Sequence, residues 1–235
     1  MNGILLLGLL GIGIGGFYGL LANGIVIGHK GSGLINLDQG ALAMYPAYTF
    51  MTMRNSGDIY FPWVDFIPGP IDIPYQLSVA SSGVGKLPSF IAAILMSLFL
   101  GIAVQTLVFG PLRNKPPISK IIGSLGALFY LTSVAAYQFG FKNKTIDGIL
   151  PQGTWKNPLG LDGQLYVERI ALVIIALLIG GGLTAYYRFT STGLATRAIE
   201  DSETGATLLG HSIRRISTLN WVLSTLITGF AGILA

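Results

Sequence analysis

The chain contains no cysteine, only two histidines and few charges: 14 Lys and Arg and 10 Asp and Glu in 235 residues. Without cysteine there is no disulfide framework, no thiolate nucleophile and no Cys-ligated metal. His29 and His211 both fall in predicted loops, where a lone histidine is ordinarily just solvated. There is no G-x-x-x-x-G-K-[ST] phosphate loop, so nucleotide hydrolysis is not expected in this chain. No basic, aromatic-interleaved patch points to nucleic acid, and the net charge is only +4. No paired carboxylates, His–Ser pair or metal-spaced cluster at one membrane depth supports a membrane enzyme.

What remains is apolar. The composition is 51% hydrophobic and 10% charged, with 33 glycines and a mean hydropathy of +0.66. Soluble domains are nearer a quarter charged, so this is the composition of an integral membrane protein. A crossing helix needs about 20 apolar residues. Gly3–Gly28, Pro88–Gly110, Ile121–Gly140, Ile170–Tyr187 and Ile216–Ala235 qualify, and the shorter Leu34–Met53 makes six membrane segments. The first has no basic residue between Met1 and its apolar run, which reads as a retained helix rather than a cleaved signal. All the runs are helix-length. The fold class is therefore an all-α polytopic transmembrane bundle, and the whole of 1–235 reads as one membrane domain.

Loops His29–Ser32, Pro111–Lys120 and Arg188–Arg215 carry eight Lys and Arg; Arg54–Leu87 and Phe141–Val167, with Arg169 at their rim, carry six. The two shortest loops of the first set are distinctly basic, and short loops dominate the positive-inside rule. The first set is assigned to the cytoplasm and the amino terminus to the outside. The outer loop Arg54–Leu87 is rich in aromatics and prolines, including Tyr60, Trp63, Phe66, Pro68 and Pro70. It reads either as an interfacial belt or as a docking surface for an external partner.

Gly11, Gly15 and Gly19 recur every fourth residue, and Gly24 and Gly28 repeat the spacing. Such a stripe lets another helix come close. Gly180–Gly182 predicts a bend or a very close contact. Asn23, Gln105, Ser124, Ser133 and Asn220, at predicted membrane depth, read as helix–helix hydrogen bonds.

Two stretches are unusual. In "GLINLDQGALAMYPAY", Asn36, Asp38, Gln39 and Gly40 interrupt an apolar run. A charge at mid-bilayer costs roughly 2.5–3.5 kcal/mol on insertion scales. Asp38 therefore either caps a helix starting near Gln39, or is wet at the cytoplasmic interface, or lines a broken segment along a substrate pathway that also includes Asn23. The second stretch, Ser191–Ser217, is polar yet helix-like from Leu194 to Leu209, with Gly210 as its terminator. Ala195, Ala198, Ile199, Ser202, Ala206 and Leu209 suit one small or apolar face, with Arg197, Glu200, Asp201 and Glu203 largely outside it. Its acidic cluster argues against a lipid surface and for a protein partner.

Three stretches in register resemble the permease subunits of branched-chain amino acid ABC transporters: "GFYGLLANGIVIGHKGSGLINLDQGALAMYPAY", "PLRNKPPISKIIGSLG" and "GLATRAIEDSETGATLLGHSIRRISTLNWVLSTLITGFAGILA". Asn36 and Gly40 fall on the family's Asn and Gly, and Ala198, Glu200, Asp201, Ala206, Leu209 and Gly210 on its coupling loop. The resemblance implies one transmembrane half of an importer in the cytoplasmic (inner) membrane of a prokaryote. It would pair with a second permease, homologous or identical, bind two cytoplasmic ATPase subunits that use the ATP, and receive substrate from an external solute-binding protein. Residues 191–215 would be the coupling loop, carrying Arg197, Glu200, Asp201, Glu203, Ala206, Leu209 and Gly210. The chain itself would bind no cofactor. Asp38 and Gln39 stand where the family commonly has a small neutral residue and a His, so the substrate class is open among branched-chain and other amino acids, short amides and urea. The family continues beyond "GFAGILA", which implies a truncated or split permease. The competing class is a self-sufficient secondary transporter or channel using Asp38 or Glu168 as an ion site.

Overall fold

The computed structural model describes residues 2–33, 36–63, 74–113, 115–140, 148–151, 153–156, 164–210 and 212–234. Helix α1 (Asn2–Ser32) leads to α2 (Gln39–Asn55), then to a hairpin of β1 (Asp58–Tyr60) and β2 (Gln76–Ser78). Helices α3 (Lys86–Leu112) and α4 (Pro117–Phe139) follow. A second hairpin pairs β3 (Thr154–Lys156) with β4 (Gln164–Tyr166). Then come α5 (Val167–Phe189), the short α6 (Ser191–Asp201) and α7 (Glu203–Leu208), and α8 (Ile213–Leu234).

The protein is a multi-pass helical membrane protein. Helices α3, α4, α5 and α8 are each long and apolar enough to cross a membrane. Helix α1 covers the first predicted segment and extends through His29–Ser32, which sequence reading had as a loop. The predicted second segment, Leu34–Met53, differs most. Its helix starts at Gln39 and has 17 residues, fewer than the roughly 20 a straight crossing takes. The two antiparallel hairpins were not foreseen in an otherwise helical chain; they sit in the two loops assigned to the outside.

Helix α8 is the hub, packed against α1, α2 and α3. The contacts are close because small residues meet there. A Cβ on Gly229 would collide with Ser97 Oγ and Pro46, one on Gly232 with the Ala43 backbone, and one on Gly101 with Thr225 at 2.6 Å. In α1 the predicted glycine stripe is engaged in part. A Cβ on Gly24 would collide with Thr228 of α8 and one on Gly28 would stand 3.0 Å from Ser224, as the spacing predicts, whereas Gly11, Gly15 and Gly19 have open space around them. There it is Gly16 that is close, where a Cβ would stand 3.0 Å from the Val173 backbone of α5. Gly180–Gly182 shows neither the predicted bend nor a very close contact: α5 runs unbroken, a Cβ on Gly180 would stand an ordinary 3.4 Å from Asn23, and Gly181 and Gly182 have open space.

The aromatic outer loop folds onto the bundle. Phe61 and Trp63 stack at 4.6 Å and both meet Phe99 edge-on. Gln138 Nε2 donates to the carbonyls of Phe61 (2.7 Å) and Trp63 (3.1 Å), and Tyr130 OH donates to Pro62 (3.0 Å). Phe66, Pro68 and Pro70 lie outside the described residues.

Candidate functional site

Helix α8 carries Asn220, Ser224 and Thr228 at a spacing of four, hence on one face, and all three are fully buried. That polar line ties the bundle together. Thr228 Oγ1 donates to Gln39 Oε1 (2.6 Å), Gln39 Nε2 donates to Ser224 Oγ (2.8 Å), and Ser224 Oγ donates to the Gly24 carbonyl (2.6 Å). One glutamine side chain at the start of α2 thus joins α2 to α8 and, through Ser224, to α1. Nearer the inner face, the side assigned to the cytoplasm, Tyr187 OH donates to Asn220 Oδ1 (2.9 Å) and Asn220 Nδ2 to Thr196 Oγ1 (3.3 Å). This second knot joins α5, α8 and α6. Inter-helical hydrogen bonds in membranes contribute about 0.6 kcal/mol each, up to about 1.7.

Asp38 stands beside Gln39 in the chain and has the opposite fate. It is 0% exposed, and neither carboxylate oxygen accepts a hydrogen bond. Asn36 is 4% exposed and its Nδ2 is unpaired; its Oδ1 accepts from the Asp38 backbone N–H at 3.3 Å. Two of the three sequence readings of Asp38 are thereby corrected. It occupies the N-cap position of α2, but its side chain makes no capping bond. It is not wet, because it is buried. The Asp38 backbone, at φ −87°, ψ 3°, is outside the extended region an N-cap residue usually adopts, so its carboxyl is not presented to the first-turn N–H groups. Gly40 is exposed with nothing near it. Asn23 is not brought to this cluster: it faces Gly180 of α5 and donates within its own helix to the Gly19 carbonyl (2.9 Å). Ser124 likewise bonds its own helix at Ile121. Gln105 reaches Ser217 at 3.5 Å, so it and Asn220 keep the predicted inter-helical role.

The polar stretch after α5 is two helices, not the single one predicted from Leu194 to Leu209. Ser202 breaks it, extended at φ −159°, ψ 109°, and its Oγ accepts from the Gly205 N–H at 3.1 Å, a true N-cap for α7. Thr190 caps α6 in the same way through Gly193. Gly193 sits directly on the Tyr187 backbone, where any Cβ would collide. The predicted terminator Gly210 does adopt positive φ, +83°. The inward face consists of Gly193, Ala195, Thr196 and Ala206. Leu209 was placed on that face; it is instead 75% exposed, beside Leu208 at 84%. The break at Ser202 shifts α7 out of the register of α6. Arg197 and Asp201 are exposed, and the side chain of Glu203 lies outside what is described. Glu200 faces the bundle enough to pair with Lys30 of α1 (3.2 Å), and Lys30 lies 5.6 Å over the Tyr187 ring.

On the outer side α1, α2, α5 and α8 line a cavity of about 570 Å³. Phe17, Met44, Tyr48 and Leu172 form apolar walls, and Glu168 and Arg169 supply charge. Neither Asn36 nor Asp38 lines it. Sequence reasoning missed Lys30, Tyr187, Thr196, Ser224 and Thr228. The period-four line Asn220–Ser224–Thr228 in an apolar span was the available signal; Lys30–Glu200, 170 residues apart, left none.

These features define a class: a multi-pass helical membrane protein whose inner-face helices are tied by polar side chains to its spans. The chain belongs to the family described as branched-chain amino acid transport system / permease component, which it matches over residues 7–235. It is 22% identical over 227 residues to the high-affinity branched-chain amino acid transport system permease protein LivH of Salmonella typhimurium, covering 95% of this chain and 68% of that one. It is 23% identical over 225 residues to the corresponding permease protein BraD of Pseudomonas aeruginosa, with the same coverage. With a probable LivH of Methanocaldococcus jannaschii it shares 25% over 222 residues, covering 91% of this chain and 60% of that one. No solved structure matches the chain. Between a permease component and a self-sufficient transporter, family membership favours the first.

Proposed function

We propose that this chain, as one transmembrane domain, is the permease subunit of an ATP-binding-cassette importer for branched-chain or related amino acids. It lies in the cytoplasmic membrane of a prokaryote with its amino terminus outside. A second permease subunit, two cytoplasmic ATPases and an external solute-binding protein complete the transporter. ATP is bound and hydrolysed by the partners.

The observation that carries this reading is the construction of the inner face. Helix α6 is fastened to the spans by Lys30–Glu200 and by Tyr187–Asn220–Thr196, and α7, which follows it, leads to Leu208 and Leu209 bare. A surface helix that holds leucines outward suits a protein groove. Movement of an ATPase holding α7 would reach α1, α5 and α8 through those bonds. The outer cavity supports the substrate class. Its aliphatic and aromatic walls suit a branched side chain, and Glu168 and Arg169 offer a partner for each charge of a zwitterion. Asp38 belongs to the inner part of the path. A buried carboxylate without a partner is destabilising in the conformation described here, so the group favours states in which the start of α2 meets water.

The test uses the absence of native cysteine. Thr207 is exposed, and Thr207→Cys is combined with single cysteines in the groove of the candidate ATPase. We expect a crosslink in membranes that changes with ATP, together with uptake of labelled leucine in preference to labelled urea. No crosslink at any groove position, at verified expression and with uptake intact, overturns the ATPase-driven reading in favour of a self-sufficient transporter.

A further inference from the structure

The inner ends of α3, α4 and α8 enclose a separate cavity of about 390 Å³. Three cations line it: Arg113 from the end of α3, Lys120 from the first turn of α4 and Arg214 from the first turn of α8. No carboxylate lines it, and among the described residues none of the three forms an ion pair. Like charges gathered in one concavity repel, and an anion between them removes that cost.

Two residues of the same cavity carry buried polar atoms with complementary needs. Trp221 is fully buried and its Nε1–H donates to nothing. The buried Oε1 of Gln105 accepts nothing. Both residues line the same cavity. Leaving such groups unpaired is unfavourable. The backbone makes room for them: at Gln105–Phe109 helix α3 widens into a π turn, where the Gly110 N–H bonds the Gln105 carbonyl five residues back. Phe109 then lies against the Trp221 ring at 4.4 Å.

We propose that this cavity binds the headgroup of an anionic glycerophospholipid, specifically one that carries free hydroxyls. Its position is at the ends of three apolar helices, the depth at which lipid phosphates lie, and basic pockets between membrane helices suit such headgroups. The phosphate answers Arg113, Lys120 and Arg214, with the Trp221 N–H as a further donor. A headgroup hydroxyl answers Gln105, which needs a donor that phosphate alone does not supply. Phosphatidylglycerol meets both needs, phosphatidic acid only the first and phosphatidylcholine neither fully, because its cation opposes the three basic side chains. This assignment stands whether or not the transport reading is right, since its readout is lipid retention.

The full chain is purified in detergent, stripped of lipid, and incorporated into nanodiscs of phosphatidylglycerol and phosphatidylcholine in equal amounts. It is then re-extracted, and its bound lipid is measured. We expect phosphatidylglycerol to be retained about ten-fold over phosphatidylcholine. Combined Arg113→Gln, Lys120→Gln and Arg214→Gln should bring the ratio near one, while Arg188→Gln, a basic residue elsewhere on the inner face, leaves it unchanged. In parallel nanodiscs of phosphatidylglycerol and phosphatidic acid the unaltered chain should retain more phosphatidylglycerol, and Gln105→Leu should abolish that preference while keeping the one over phosphatidylcholine. If the triple variant does not fold, the three single variants should each lower the ratio several-fold. Equal retention of both lipids overturns the proposal, as does an equal loss with Arg188→Gln. Binding of labelled orthophosphate without any lipid preference would make the cavity a free-anion site and overturn it too.

Discussion

Asp38 and Gln39 are adjacent, both polar and both buried at the start of α2, yet one is fully bonded and the other not at all. Gln39 uses both ends of its amide on α8. Asp38 leaves both oxygens of its carboxyl without a donor. An amide that satisfies its neighbours holds a fold in one arrangement. A carboxyl without partners makes that arrangement less stable than it would otherwise be, and so lowers the cost of leaving it. In a permease the two roles are complementary: one residue defines the closed packing and its neighbour limits how stable that packing is.

The comparison is broken most directly at Gln39. Gln39→Leu leaves Ser224 and Thr228 short of partners in the interior, and we expect a loss of about 2 kcal/mol in stability. A thermal unfolding scan of purified protein reads it as a lower midpoint and lower yield. Next is Asp38→Leu. It removes a buried group that no hydrogen bond compensates, so stability should be unchanged or slightly higher, while uptake of labelled leucine falls about ten-fold at equal membrane abundance. Normal uptake removes Asp38 from the path. The smallest effect on stability is expected at Lys30. Its pair with Glu200 is partly exposed, and such pairs are worth under about 1 kcal/mol. Lys30→Glu should leave unfolding almost unmoved but slow uptake severalfold, and adding Glu200→Lys should restore it. If Lys30→Glu alone is silent in uptake, the ion pair does not transmit movement.

Much of the fold was legible because lipid imposes a simple rule: long apolar runs must be helices. Helix α3, α4, α5 and α8 follow from that rule alone. The start of α2 was legible as a break, but the residue pattern could not say whether Asp38 caps, is wetted or is buried, because those outcomes depend on α1 and α8. Helical propensity ran straight through Ser202, whose cap to Gly205 wins locally and splits the predicted helix. The glycine stripe held at Gly24 and Gly28, against α8, and not at Gly11, Gly15 and Gly19, where α5 meets Gly16 instead. Spacing identifies candidate faces, whereas the partner helix decides which is engaged. Gln39 was legible as a polar anomaly, but its bonds were not, since its partners Ser224 and Thr228 lie 185 and 189 residues away.

The extended residue Ser202 has a mechanical consequence. The segment before it is anchored, through Thr196 and Glu200, and the segment after it carries the bare leucines. Between them no helical hydrogen bond spans the extended residue without passing through its own peptide groups: its N–H reaches back to Ala198 and its carbonyl forward to Ala206. A rod with one such knuckle passes on a pull along its length but gives way to a twist. The ATPase proposed above, gripping the far end, would tug on the membrane helices without having to hold a fixed angle to them.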